Sequence, residues 1–324
     1  MSPTSTNWKR CRQGNIMLES SNWIQNKFDE EDVDPFGGRL LQDGVVYSQN
    51  ISIRSFELDS SGKISVGALV HHLQDSALNH VRNLGLLAQD FGSTPEMSKN
   101  DLIWVVNTLQ IEVDRYPSWG DSVQLNTWMY ASGRTGMGRN WIFQDVKTGE
   151  ILIRANCVYV MMNKKTRKLS KFRKEVRDEY GLSFKDGGDA IIPRDTKNKL
   201  LFDPNTADYV TTNFKASRSS LVLMPGWTDM DLNQHVSHVK YIDWIFESIP
   251  HSFKACHELY AISLGYEKEC HINSVLQSMS KMAKNCSDNS TDDDNDVVEF
   301  EHLLLLEDGS RIMRARTMWK PKYA

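Results

Sequence analysis

An amphipathic helix followed by four extended runs occurs twice in this chain, at an interval of about 170 residues, which is a usual domain length. In the first copy Val66, Leu69, Val70, Leu73, Ala77, Val81 and Leu84 recur every three or four residues, which predicts a helix ending near Gly85. Strand-like runs follow at 102–113, 122–130, 140–146 and 151–162, separated by turn formers at 116–121, 133–138 and 147–150. The second copy has Val236, Val239, Ile242, Ile245 and Phe246 on one helical stripe, then runs at 259–266, 274–282, 297–306 and 311–319. Another extended run, 45–58, precedes the first helix and closes on Asp59, Ser60, Ser61 and Gly62. Identity between the copies is slight, so it is the architecture that repeats.

A long helix packed on an antiparallel sheet, used twice, predicts an α+β fold in which two curved sheets can join edge to edge. This plan resembles a tandem, or double, hotdog. The expected boundaries are a poorly ordered leader at 1–32, an N-terminal half at 33–180, a linker at 181–224 and a C-terminal half at 225–324. The leader opens with Ser, Thr, Lys9, Arg10 and Arg12, as an organelle transit peptide does, then turns acidic at 29–32. The stretch 285–296, with Asp292, Asp293 and Asp294, reads as a solvated loop, because it lacks the glycine and terminal glutamate of a calcium-binding hand.

Composition removes several classes of function. With 40% apolar and 25% charged residues the chain is not mostly disordered, and no run is long and apolar enough for a transmembrane helix. A net charge of -4 argues against nucleic acid as the main partner. The five cysteines, Cys11, Cys157, Cys256, Cys270 and Cys286, are odd in number and scattered, with no CxxC pair, so neither a disulfide framework nor a zinc site is expected.

Three groups of residues could carry chemistry. The first is 229–235, just before the second helix. If extended, it projects Asp231, Asn233 and His235 to one side, beside a helix start whose free N–H groups can stabilise an oxyanion. The bland alternative makes Asp231 or Asn233 a helix cap. The second group, 266–271, offers Glu269 as a general base for water, or Cys270 as a nucleophile paired with His235; spacing does not choose between them. The third is the basic run Lys164, Lys165, Arg167, Lys168, Lys171, Arg173, Lys174 and Arg177, either a docking surface for an acidic partner or a solvated connector.

At these residues the sequence resembles plant acyl-acyl carrier protein thioesterases of the saturated-chain (FatB) class. The resemblance rests on Val33-Asp34-Pro35-Phe36-Gly37, Leu102-Ile103-Trp104-Val105-Val106, Tyr116-Pro117-Ser118-Trp119-Gly120-Asp121 and Val160-Met161-Met162-Asn163-Lys164. It continues through Asn205-Thr206-Ala207-Asp208-Tyr209, Asp231-Leu232-Asn233-Gln234-His235-Val236 and Glu267-Lys268-Glu269-Cys270. It implies a double hotdog whose N-terminal half shapes an acyl pocket and whose C-terminal half supplies Asp231, Asn233, His235 and Glu269, with Cys270 as the competing nucleophile. It further implies a plastid enzyme that frees fatty acids from acyl carrier protein with its phosphopantetheine-linked chain, without metal or redox cofactor. The basic run would face that acidic carrier, and open sheet edges make a homodimer an expectation. Ser237-His238 stands where the family usually has two asparagines, and Gly138 and Gly226 each replace a usual arginine. Those departures keep two rivals in view, an acyl-binding relative with weakened turnover and a hotdog hydroxyacyl dehydratase.

Overall fold

The computed structural model describes residues 33–88, 92–132, 136–185, 188–193, 221–232, 235–282 and 297–322. The leader at 1–32, residues 205–209, most of the linker, the acidic loop 285–296 and Asn233 lie outside the described residues. The first long helix, α1 (Val66–Asn83), starts where the Ser65 hydroxyl accepts from the Ala68 amide at 3.1 Å. It stops at Leu84 and Gly85, the glycine taking the left-handed φ of +70°. Its inner stripe buries Leu69, Val70, Leu73, His80 and Val81, the face that the periodicity predicts.

Ahead of it lie strands β1 (Gly38–Leu41) and β2 (Val46–Ser52). After it come a short helix α2 (Pro95–Lys99) and four long strands, β3 (Leu102–Val113), β4 (Ser122–Ser132), β5 (Gly136–Asp145) and β6 (Ile151–Asn163). The expected turn at 133–138 is partly strand. Gly136 and Gly138 are there because backbone and ring approach too closely for a side chain: a Cβ on Gly136 would lie 2.9 Å from the Tyr159 carbonyl oxygen, and one on Gly138 2.0 Å from the Tyr130 ring. The charged stretch after Asn163, read from the sequence as a docking surface or a solvated connector, holds β7 (Leu169–Ser170) and α3 (Lys174–Tyr180), and β8 (Phe184–Lys185) follows.

The second copy begins with β9 (Leu221–Leu223), then α4 (His238–Glu247), a short α5 (His251–Cys256), and β10 (His257–Tyr266), β11 (Leu276–Met282), β12 (Val298–Leu306) and β13 (Arg311–Pro321). Both ends of the expected linker therefore belong to the halves: β8 pairs with β4, and β9 with β11.

Strand order across the described sheet is β1-β2-β4-β5-β6-β3-β10-β13-β12-β11-β9, with β7 on β6 and β8 on β4. The halves meet where β3 pairs antiparallel with β10, Leu109 opposite Leu264 and Ile111 opposite Ile262. All four side chains are buried, each worth roughly 1.5–3 kcal/mol against exposure, so this seam is core rather than a loose contact. α1 and α4 pack on each other over one side of it. This is the double hotdog expected from the sequence.

The halves differ in how they are filled. Beneath α4, Phe253 meets Phe300 at 4.9 Å and Trp319 at 5.7 Å between ring centroids, and Phe246 also stacks edge-on against Trp319. That half is solid. Beneath α1 an elongated space remains.

Candidate active site

The same turn precedes both helices. In each, a 3-10 turn (Ser55–Glu57; Trp227–Asp229) leads into an isolated antiparallel bridge, Leu58 to Ile64 in the first half and Met230 to Val236 in the second. Backbone bonds match: Asp59 N–H donates to Lys63 O at 2.8 Å, and Asp231 N–H to His235 O at 2.7 Å. Asp231 and His235 are thus bonded to each other across a turn, where an extended segment would hold them apart. Asp231 Oδ1 also accepts from the His235 amide at 3.1 Å, whereas the N-cap of α4 is Ser237. Asp231 is a brace for the turn and does not cap the helix.

Where the first copy has Lys63, paired with Glu258 at 2.6 Å, the second has His235. His235 Nε2 lies 3.7 Å from Glu269 Oε2. The other Glu269 oxygen is bound by Arg167, which reaches across from the N-terminal half on the tip between β6 and β7. That tip is tightly held: Asn163 Oδ1 accepts from the Lys165 and Thr166 amides at 3.1 and 2.8 Å, and its carbonyl accepts from Arg167 N–H at 2.9 Å. Arg167 adopts φ +55°, an uncommon region for a side chain with a Cβ, and such strain persists where the surroundings over-determine it.

Asp231, His235 and Glu269 line one end of a cavity of about 430 Å³. From there the cavity follows the underside of α1 past Val70, Leu73, Ala77 and Val81, against Trp104, Arg139, Trp141 and Tyr159 of the sheet. Ser237 and His238, at the start of α4, also face it, so the electropositive end of that helix borders the mouth. Burial, with His71 nearby, lowers His238 to about 4, so its ring is neutral at ordinary pH. The lining is apolar and exposed at Leu169, 68%.

Cys270 faces the other way. It is buried outside the cavity lining, and both its N–H and its thiol donate to Tyr241 Oη at 3.2 Å. Burial pushes the thiol up to about 11, leaving little thiolate at neutral pH. Among the described residues, no group of three or more His, Cys, Asp or Glu is placed to hold a metal ion, and no helix is long and apolar enough to cross a membrane.

Two family models match: the acyl-ACP thioesterase N-terminal domain over residues 44–180 and its C-terminal domain over 213–321. The chain belongs to the acyl-ACP thioesterase family. Among relatives of this thioesterase-family chain, a palmitoyl-acyl carrier protein thioesterase, chloroplastic, of Gossypium hirsutum is 48% identical over 295 residues, covering 90% of this chain and 68% of the relative. A dodecanoyl-[acyl-carrier-protein] hydrolase, chloroplastic, of Cinnamomum camphora is 41% identical, covering 86% of this chain and 69% of the relative. Among solved structures, the 12:0-ACP thioesterase of Umbellularia californica superposes with a TM-score of 0.74 at 39% identity, covering 86% of this chain and 95% of that one.

Of the residues expected at the site, the structure brings Asp231, His235 and Glu269 to one cavity mouth, sets Cys270 behind it, and does not describe Asn233. Three neighbours escaped the sequence reading. Arg167 was one cation of a basic run; Tyr241 was an unremarked helix residue; Arg139 preceded the predicted strand. Only Arg139 carried a usable signal, since it shares strand parity with the buried Trp141 and Phe143.

Proposed function

We propose that the protein hydrolyses the thioester of a saturated, medium-to-long acyl chain on acyl carrier protein, releasing a free fatty acid and the carrier thiol. The observation that carries this reading is a carboxylate and an imidazole sharing the mouth of an elongated apolar cavity, beside a helix N-terminus. The acyl chain lies in the cavity with its carbonyl at the mouth. Glu269 takes a proton from water, whose oxygen bonds to the carbonyl carbon; the C–S bond then breaks, and the proton passes to the departing sulfur. The developing oxyanion meets the first amides of α4 and His235, with Asn233 as a further polarising group. Asp231 holds the turn that carries His235, and Arg167 orients Glu269 by occupying one oxygen and leaving the other towards His235.

This water route is favoured over attack by Cys270, whose thiol is buried, protonated and turned away from the cavity. The relatives' names, palmitoyl and dodecanoyl, support saturated chains, and "chloroplastic" supports a plastid location that would end chain elongation there. The exposed Lys168, Lys171 and Lys174, beside the mouth-forming tip, suit an acidic carrier. A homodimer through a sheet edge completes the proposal; light scattering at twice the chain mass supports it, and a single chain mass removes it.

Incubation with dodecanoyl- and palmitoyl-acyl carrier protein tests the activity. Equal amounts of free thiol and free acid are expected. Saturable binding without release would indicate a silent binder, and an unsaturated product still on the carrier would indicate a dehydratase.

A further inference from the structure

Arg139 is only 1% exposed and is one of the residues that line the cavity. Its Nη1 donates to His80 Nδ1 at 3.0 Å and to Thr127 Oγ1 at 3.3 Å, while Nε has no hydrogen-bond partner. Both partners are neutral. His80 Nε2 is bonded to the Gly44 carbonyl at 2.9 Å, which leaves Nδ1 as the acceptor, and burial holds the ring at about 3. Among the described residues no carboxylate pairs with Arg139, and its own ionisation is disfavoured by burial. A buried cation facing only neutral groups is costly, and an anion that enters the cavity would relieve that cost.

Its location says which anion. Arg139 pairs with Cys157, Cys157 with Leu109, and Leu109 with Leu264, so three strand spacings, roughly 14 Å, separate it from the strand that leads to Glu269. The intervening wall is apolar, including Leu109 and Trp141. A ligand joining the two ends is an aliphatic chain.

We infer that the inner end of this cavity is a carboxylate subsite, in which Arg139 receives the charged end of an aliphatic chain. This rests on the proposed use of the cavity for acyl chains. The shared chemistry, an alkyl carboxylate, has two sources: the far carboxylate of a dicarboxylic acyl thioester, or the head of a free fatty acid entering reversed and so inhibiting its own release.

Two arms separate these sources. In the first, kcat/KM is compared for the carrier half-thioester of dodecanedioic acid and for dodecanoyl carrier. In the second, calorimetry compares dodecanoate with dodecanol on the whole protein. A carboxylate advantage of about tenfold or more, the scale of a hydrogen bond to a charged group, is expected in at least one arm, lost in Arg139→Met and partly kept in Arg139→Lys. An advantage in the first arm assigns a substrate, and one in the second alone assigns the product. No advantage in either arm of the wild-type protein overturns the inference without any variant, as does an advantage that survives Arg139→Met. If dodecanoyl carrier itself is not hydrolysed, the functional reading fails, while the calorimetric arm still decides the subsite.

Discussion

Glu269 and Cys270 are adjacent in sequence, yet one opens on the cavity between Arg167 and His235 while the other is buried against Tyr241. Their chemistry follows from those surroundings, and sequence spacing alone left both as candidates. Tyr241→Phe would strand the buried Cys270 N–H; a stability loss of about 1–3 kcal/mol is expected in urea unfolding, with KM little changed. An unchanged unfolding midpoint would mean that the bond does not hold the segment. Gly138 makes a second residue-scale case. The family resemblance marks it as a lost arginine, but the Tyr130 ring covers the position. Gly138→Ala should therefore cost about 1–3 kcal/mol through overpacking, and pairing it with Tyr130→Leu should restore most of the loss. Melting curves of the two variants check this, and no loss in Gly138→Ala would refute it.

Most elements were legible because long amphipathic runs report their own period. α1, β3, β6, β10 and β12 fall within a few residues of the expected ranges. The misses had physical causes. Glycines at 136 and 138 suggested a turn where they serve close packing, and the charged stretch 163–180 hid a hairpin and a helix because its apolar content is low. The tip after β6 matters most, since it places Arg167 on Glu269 through a turn built on Asn163. Arg167→Gln should lower kcat about tenfold or more with a smaller change in KM, because Glu269 loses the partner that orients it. Arg167→Lys should recover part of the rate. An unchanged kcat in Arg167→Gln would remove Arg167 from a positioning role.

On the scale of the whole molecule, the duplicated plan yields one continuous sheet whose halves are packed differently, with a cavity under α1 and a cluster of aromatic rings under α4. The repeat was visible in the sequence. That the N-terminal half shapes the pocket was implied by the family resemblance, whereas periodicity could not show it, because it depends on how side chains such as Phe253, Phe300 and Trp319 pack beneath α4. Both halves bury neutral imidazoles: burial lowers His80 and His302 to about 3 and His238 to about 4, from an ordinary value of 6.5. Below pH 6.5 the unfolded chain takes up protons at these rings that the folded chain refuses. Stability should therefore be level for these groups above pH 7 and fall as pH drops from 6.5 towards 4, by up to about 1.4 kcal/mol per pH unit for each ring. Urea midpoints at pH 7 and pH 5 check this, and equal midpoints would contradict it.

The most direct test of the proposed chemistry is the single-turnover rate of thiol release from dodecanoyl-acyl carrier protein by wild type, Glu269→Gln and Cys270→Ser. A loss of about 10²–10⁴-fold is expected for Glu269→Gln, the range for removing a general base, with Cys270→Ser close to wild type. An inactive Cys270→Ser that folds normally, together with an acyl-enzyme trapped in Glu269→Gln, would contradict water activation at this site.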